Sequence, residues 1–494
     1  MIPFAATPEE ILQELATLRA ADAPTHGGKV LSYVYDSGLS AVDELAAAAM
    51  LAVQPLNGLD PTTFTSIAVM EREVIGFMRT LLGGGGDVVG TVTSGGTESC
   101  MLAVKTAREN FRGTGTPRLL APASVHAAFH KAAHYFGLTL ELVPVDADGL
   151  ADSAAMTAAM GPDTALVVAS TPSYPHAVLD PVAEIAAAAQ SRGIDCHVDA
   201  CIGGLVLPFW PGLPDWDLRV SGVTSVSADL HKYGYAPKGA SVLLTRGRDR
   251  QRSQYFATTS WPGYPVVNPT LLGSKSAAPL AGAWAIIKLL GTAGFADLAA
   301  SCHRSTASLL GAVAKIEGLR VVGNPTGPLF AVAVDALVPA DRQIDPHHWA
   351  DRLKVHGFTA QLQPSFTQSD GSILPRTTHL TITPVTESRL AELVEAMVQA
   401  GKEVRGVPGI EPQQILAALD GPTAALLGTS GFTKNSETAR QILRALGLAG
   451  DGLPAAMAPV LALVEALPRD VTEWLLTELL AGLVEPPPLP PAEM

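Results

Sequence analysis

Asp199 closes the apolar run Cys196-His197-Val198-Asp199, and Lys232 follows in Ser227-Ala228-Asp229-Leu230-His231-Lys232-Tyr233-Gly234. A lone aspartate and a lone lysine are ordinarily solvated surface charges, so the pair gains meaning only from what precedes it. Upstream, Thr93-Ser94-Gly95-Gly96-Thr97-Glu98-Ser99 leads into a helical run, Cys100 to Asn110. Backbone N–H groups at a helix start point towards an anion, Gly95 and Gly96 let the backbone approach it, and the hydroxyls of Ser94 or Thr97 add hydrogen bonds. That pattern predicts a phosphate cradle. An amine to hold an aldehyde as a Schiff base, a carboxylate to keep a pyridine nitrogen protonated, and a phosphate cradle are together what pyridoxal-phosphate chemistry requires. The earlier Gly83-Gly84-Gly85-Gly86 lacks the Lys-Ser/Thr of a P-loop and is expected to be a turn.

His126, in Ala123-Ser124-Val125-His126, stands just after a strand candidate, where a flat imidazole can cover one face of an aromatic cofactor ring. Most isolated histidines are simply satisfied polar residues, so His126 counts only alongside the other motifs. Thr171-Pro172-Ser173-Tyr174-Pro175-His176 and the following Asp180-Pro181 lie at another strand exit and are expected to line the pocket.

These groups need a scaffold, and the chain can supply one. Its 494 residues with 47% hydrophobic content can bury a large core. A formal net charge of -14 argues against a nucleic-acid binder, because neutralising a phosphate backbone needs a basic face. Cys100, Cys196, Cys201 and Cys302 lack metal-ligand spacing, and reduced thiols in a cytoplasmic protein account for them. No signal-peptide pattern opens the chain, and no uninterrupted apolar run approaches the roughly 20 residues that span a bilayer. No transmembrane segment is expected.

Thr7-Pro8-Glu9-Glu10 reads as a capping box opening a helix to about Leu18. Further helices are expected over Ala41 to Ala52 and Ile67 to Leu82, with an irregular arm at Tyr33-Val34-Tyr35 between the first two. Strand-like runs then alternate with helices: 119–121, 139–143, 165–169, 194–198, 225–227 and 241–244. Such alternation predicts an α/β unit with a mostly parallel sheet covered on both faces, binding ligands at the carboxyl ends of its strands. The expected organisation is an N-terminal arm with helices over 1–82, a large cofactor-binding domain over 83–318, a small α/β domain over 319–408 and a helical extension over 409–494. In the small domain, strands are expected at 320–322, 329–334 and 379–382. The extension should hold helices at 413–419, 436–445, 457–467 and 471–483 before the proline-rich Pro486 to Pro491.

The segments TVTSGGTES, ASVHAAFHKAAHYFG, HVDACIGG and SVSADLHKYGYAPKGAS together resemble the signatures of the sphingosine-1-phosphate lyases, within the group II pyridoxal-phosphate decarboxylase-like family. The resemblance covers roughly residues 25 to 400 and leaves out the helical tail. It implies the fold-type I, aspartate-aminotransferase-like architecture, with Lys232 as the Schiff-base lysine, Asp199 as the pyridinium partner and His126 as the ring-stacking residue. It further implies that Gly96, Thr97 and His231 contact the cofactor phosphate, and that Ser274 in Leu271-Leu272-Gly273-Ser274-Lys275 serves the neighbouring subunit's site. A homodimer with shared active sites follows. Tyr35 and Lys238 resemble groups that bind the phosphate of a phosphorylated amino alcohol.

Two positions depart from that pattern. Where the family has Asn-Pro-Leu-His, this chain has Gln54-Pro55-Leu56-Asn57, so a phosphate-facing histidine is replaced by Asn57, which donates a hydrogen bond but carries no charge. Gly-Ser-Arg becomes Gly273-Ser274-Lys275, losing a planar bidentate donor. The leading expectation is retro-aldol cleavage of a phosphorylated long-chain base to an aldehyde and phosphoethanolamine. An amino-acid decarboxylase is the alternative within the same fold, and a non-catalytic cofactor-binding scaffold the alternative outside it. Lys232, a tyrosine or a histidine can move protons in either reaction, and the sequence does not choose among them.

Overall fold

The computed structural model describes residues 5–418, 434–448 and 454–486. Helix α1 (Pro8–Arg19) starts at the expected box: Thr7 accepts from the Glu10 backbone N–H, and the Glu10 carboxylate accepts in return from the Thr7 N–H. α2 (Ser40–Ala52) and α3 (Thr65–Leu81) follow, and α3 buries Ile67, Met70, Val74 and Met78 at helical spacing.

The main sheet has seven strands: β1 (Val88–Thr93), β2 (Arg118–Pro122), β3 (Thr139–Val143), β4 (Thr164–Ser170), β5 (Asp195–Asp199), β6 (Ser225–Ala228) and β7 (Ser241–Arg246). Their order is β1-β7-β6-β5-β4-β2-β3. β7 runs antiparallel to both its neighbours and the other pairings are parallel. Every residue of β4 and β6 is buried, as befits strands covered on both faces. The crossovers are α4 (Gly96–Asn110), α5 (Ala127–Phe136), α6 (Ser153–Ala159) and α7 (Val182–Ser191), so the carboxyl ends of β1, β2, β4, β5 and β6 open to one edge. β1 was not among the expected strands. Its Gly90 and alternating threonines make a weak strand signal, and the strand holds through its ladder with β7.

The chain divides into two compact units. One takes in the residues up to Leu309, Gly323–Phe330 and Leu380–Leu393; the other takes in Leu310–Val322, Ala331–His379 and the residues from Val394 on. The N-terminal helices thus share a unit with the large sheet, and the helical tail shares one with most of the small α/β region. A second sheet has the order Leu319–Val321, Leu329–Val334, Thr377–Thr381, Gln361–Gln363, the last strand a Gln-Leu-Gln that shows no apolar run in the sequence. The helix Ala278–Val313 is long and apolar enough, by length and composition, to cross a membrane, contrary to expectation. Its backbone breaks at Gly291, and Ile286, Phe295 and Cys302 along it are buried in the protein.

The tail helices Ser436–Ala445, Ala458–Ala466 and Arg469–Leu483 bury Ile442, Leu463, Val471 and Leu475 together. Most of the proline-rich end, 487–494, lies outside the described residues. Glu465 ties the tail to its own unit. Its carboxylate accepts from the Ser365 N–H and pairs with Arg376, which also bonds Asp345 at 3.1 Å. The Glu465 side chain is 3% exposed, so removing it leaves a largely buried guanidinium short of a partner. Glu465→Ala should therefore destabilise the tail by about 3–5 kcal/mol. Hydrogen exchange should show faster opening of 458–483 while the large sheet is unchanged; unchanged exchange in the tail would contradict this role.

Candidate active site

The chain reverses from β1 into α4 through Ser94 and Gly95, and the first turn of α4 leaves its N–H groups without intrahelical acceptors. They face a cavity of about 400 Å³ lined by Ser94, Gly95, Gly96, Thr97, His126, Tyr174, Asp199, His231 and Lys232, together with Cys100, Cys201 and Asp229. The structure thus brings together every residue assigned to the cofactor by sequence except Ser274. Gly96 is required by close packing: a β-carbon there would lie 2.7 Å from Asp229 Oδ2 and 2.8 Å from Cys201 Sγ.

Asp199 ends β5, where its Oδ1 accepts from the Cys201 N–H at 3.0 Å and from Ser227 Oγ at 3.4 Å. Behind it, His197 is fully buried, with Nδ1 2.8 Å from Ser225 Oγ and Nε2 3.2 Å from Ser227 Oγ. Burial pushes the His197 imidazole down to about 4 against a weaker pull upward from Asp199. His126 caps α5, its Nδ1 accepting from the Ala128 N–H, which fixes that nitrogen as an acceptor and directs the ring proton to Nε2.

Lys232 is held by a residue that the sequence reading passed over. Its Nζ lies 2.9 Å from Asp229 Oδ2, and the Asp229 side chain is 1% exposed. Burial, the largest single influence, would lower the lysine, yet the groups around it, the Asp229 carboxylate first among them, together hold Lys232 well above the usual lysine range. Burial would likewise raise Asp229, but Lys232 first and His231 second hold it well below the usual carboxylate range. The signal lies three positions before Lys232, in the same turn, but a carboxylate near such a lysine can serve either the lysine or the cofactor ring, and sequence alone does not separate the two. Cys100 and Cys201, whose Sγ atoms meet at 4.0 Å beside this site, could not be paired from sequence because 101 positions separate them.

Tyr233 is fully buried and donates to the Ile382 carbonyl at 2.8 Å, anchoring the segment that carries Lys232. Tyr35 packs edge-on against it with ring centroids 5.2 Å apart, and Lys238 Nζ sits 4.8 Å above the Tyr35 ring while donating to the His231 carbonyl. Burial pushes the Tyr35 phenol up to about 12, with the Lys232 charge working against it. Burial, and then Lys232, lower Lys238. Asn57 and Ser274 are found elsewhere: Asn57 Nδ2 donates to Ser274 Oγ at 3.2 Å, Asn57 Oδ1 accepts from the Lys275 N–H, and neither lines the Lys232 cavity within one chain.

The cavity fits pyridoxal phosphate. The open helix start and the shape forced by Gly96 suit its phosphate, Asp199 suits its ring nitrogen, and the Asp229 Oδ1 atom is buried without a partner. When bound, the cofactor supplies an electron sink for a bond broken next to the substrate nitrogen. Lys232 would carry it covalently, Asp199 would hold the ring-nitrogen proton, and the first turn of α4 would bind the phosphate.

A fold of parallel strands ending in such a pocket defines a pyridoxal-phosphate enzyme, and comparison with known proteins gives its family. Residues 34–331 match the pyridoxal-dependent decarboxylase conserved domain, and residues 412–482 match a pyridoxal-dependent enzyme C-terminal putative HTH domain. Sphingosine-1-phosphate lyase from Dictyostelium discoideum is 38% identical over 301 residues, 59% of this chain and 57% of the relative. The chain thus spans little more than half the length of that relative. The Saccharomyces cerevisiae sphingosine-1-phosphate lyase is 30% identical over 88% of this chain and 72% of its own. The solved Burkholderia pseudomallei sphingosine-1-phosphate lyase superposes with a TM-score of 0.74 at 30% identity, covering 82% of this chain and 93% of that one. The chain belongs to the pyridoxal-dependent decarboxylase family, within its sphingosine-1-phosphate lyase branch, and its cofactor is pyridoxal phosphate.

The buried imidazole behind Asp199 gives the site an acid limit. His197 is neutral when folded, with its pKa depressed to about 4, whereas an unfolded histidine takes a proton near 6.5. Its contribution is therefore fully present above about pH 6.5 and is lost as pH falls towards 4, at about 1.4 kcal/mol per pH unit. Urea unfolding of the wild type and of His197→Gln at stepped pH should show that slope reduced in the variant. Equal slopes would contradict the neutral buried histidine.

Proposed function

We propose that the protein is a carbon–carbon lyase that cleaves a phosphorylated long-chain base, or a related phosphorylated amino alcohol, to an aldehyde and phosphoethanolamine. The observation that carries this reading is Lys238. A second cation, seated over the Tyr35 ring beside the lysine that holds the cofactor, suits a substrate with a phosphate close to its amine. An amino-acid decarboxylase gains nothing from a phosphate anchor there. The sphingosine-1-phosphate lyase relatives support the same reaction class.

The reading includes a homodimer with shared sites. Its support is the position of Ser274 and Asn57, which lie together outside the Lys232 cavity of their own chain, and the exposed apolar stripe Ile11, Leu15 and Leu18 on α1, which buries no residue. A cytoplasmic location belongs to it as well, supported by four buried free thiols. Asn57 and Lys275 bear on substrate choice only if they face a partner's cavity, where both retain donors but the neutral amide supplies no charge.

Aldehyde release from a phosphorylated sphingoid base, run beside carbon dioxide release from amino acids, tests the reaction. The expected result is aldehyde without carbon dioxide. Lys238→Ala should raise KM for the phosphorylated substrate roughly tenfold to a hundredfold, the worth of one charge-assisted hydrogen bond, and leave KM for an unphosphorylated amine nearly unchanged. Carbon dioxide without aldehyde would replace this reading with the decarboxylase.

A further inference from the structure

We propose that Asp229 is a positioning residue for Lys232: it holds Nζ as an ammonium ion whenever that nitrogen is not covalently engaged, so that free Lys232 acts as an acid and not as a bare amine. The inference rests on Lys232 being the cofactor lysine. Its basis is the 2.9 Å contact between a lysine and a carboxylate that is 1% exposed. The backbone fixes the approach, since the Asp229 N–H donates to the Cys201 carbonyl and the Lys232 N–H, at 3.4 Å, to the Asp229 carbonyl. Gly96, pressed against the carboxylate, leaves it no room to move towards the cradle.

No neighbouring group is placed to take the proton that Asp229 keeps on the lysine. His231 is the obvious candidate, but its Nδ1 accepts the N–H groups of Gly239 and Ala240, at 3.3 and 3.2 Å. The ring proton is therefore on Nε2, which faces Asp229 Oδ2 at 3.5 Å. His231 is a second donor to the same carboxylate and has no vacant nitrogen. The other titratable groups facing Lys232 are Tyr35, Tyr174 and Cys201, all of which keep their protons, and Lys238, whose charge opposes a second one. Cys100 faces Asp229 and is likewise protonated. Of the other carboxylates lining the cavity, Asp199 is held on Oδ1 by the Cys201 N–H and Ser227, and Glu98 accepts from the N–H groups of Ser94 and Leu271.

The consequence is a gate on covalent attachment. To engage an aldehyde, Nζ must shed one proton to solvent; its lone pair then bonds the carbonyl carbon and one water leaves. The rate follows the small neutral fraction of Lys232. When a substrate amine displaces the lysine during turnover, Nζ leaves as the neutral amine and takes up the one proton that the substrate ammonium sheds on attack; beside Asp229 it stays an ammonium, which cannot attack again and has a proton to deliver to the carbon left by cleavage.

The test uses full-length protein stripped of cofactor, with pyridoxal as probe, because an aldehyde without a phosphate isolates the lysine from the cradle. Capture is followed by absorbance from pH 6.5 to 10 and normalised to a small-molecule amine that is already neutral across that window, which removes the pH dependence of the aldehyde alone. Wild-type capture should climb about tenfold per pH unit through the window, as for a lysine whose pKa is no lower than the usual 10.4. In Asp229→Asn, burial acts on Lys232 unopposed, so the curve should level off at least one pH unit lower and capture near neutrality should be about tenfold faster or more. Asp229→Glu should keep the wild-type shape. A wild-type plateau below about pH 9 overturns the proposal without needing any variant, as does an Asn variant with the wild-type profile. No capture by the wild type at any pH would overturn both the proposal and the cofactor lysine on which it rests.

Discussion

A lysine on the cavity wall paired with a buried aspartate, beneath the start of a helix, is the constraint around which the large unit is arranged. Removing two charges from solvent costs several kcal/mol per ion, and their attraction offsets it only where geometry and further hydrogen bonds are good. Each supporting feature of the site meets that condition: the short turn from Asp229 to Lys232, the second donor on His231, and Tyr233 anchoring the chain just beyond. Gly96 completes the arrangement by letting α4 approach the carboxylate, so that the anion-binding helix start and the charged pair share one cavity.

Parallel strands make such a cavity possible because β1, β2, β4, β5 and β6 all end at one edge of the sheet. Each contributes one element there: the Ser94–Thr97 turn after β1, His126 after β2, the pocket loop after β4, Asp199 on β5 and the Asp229–Lys232 turn after β6. Rigidity comes from behind, through the His197–Ser227–Asp199 hydrogen bonds within the sheet. Chemistry at the edge is held in place by neutral, fully buried polar groups one layer deeper.

Local signals were readable from the sequence and distant ones were not. Asp199, Lys232 and the Ser94–Thr97 cradle could be read because each lies within a short motif at a strand end, and the strands showed as compact apolar runs. The Cys100–Cys201 contact and the Asn57–Ser274 hydrogen bond join residues far apart in the chain, so only folding reveals them. The strand Gln361–Gln363 has one apolar residue between two glutamines, so no apolar run marks it, whereas the equally short Leu319–Val321 is marked by Val321 and Val322. Asp229 is the instructive case: its signal was local, but a carboxylate has two possible duties near such a cofactor, and only a distance separates them. The helical tail, read as an appendage, shares a compact unit with most of the small α/β region and is pinned there by Glu465. Residues 412–482 hold four Lys and Arg against seven Asp and Glu, the opposite of the charge that binding a nucleic acid requires.

The account turns on which nitrogen carries the cofactor. Borohydride reduction of the cofactor-loaded protein, followed by peptide mapping, tests this most directly. The label should fall on Lys232 alone; label on Lys238 or Lys275, or none at all, would contradict the account.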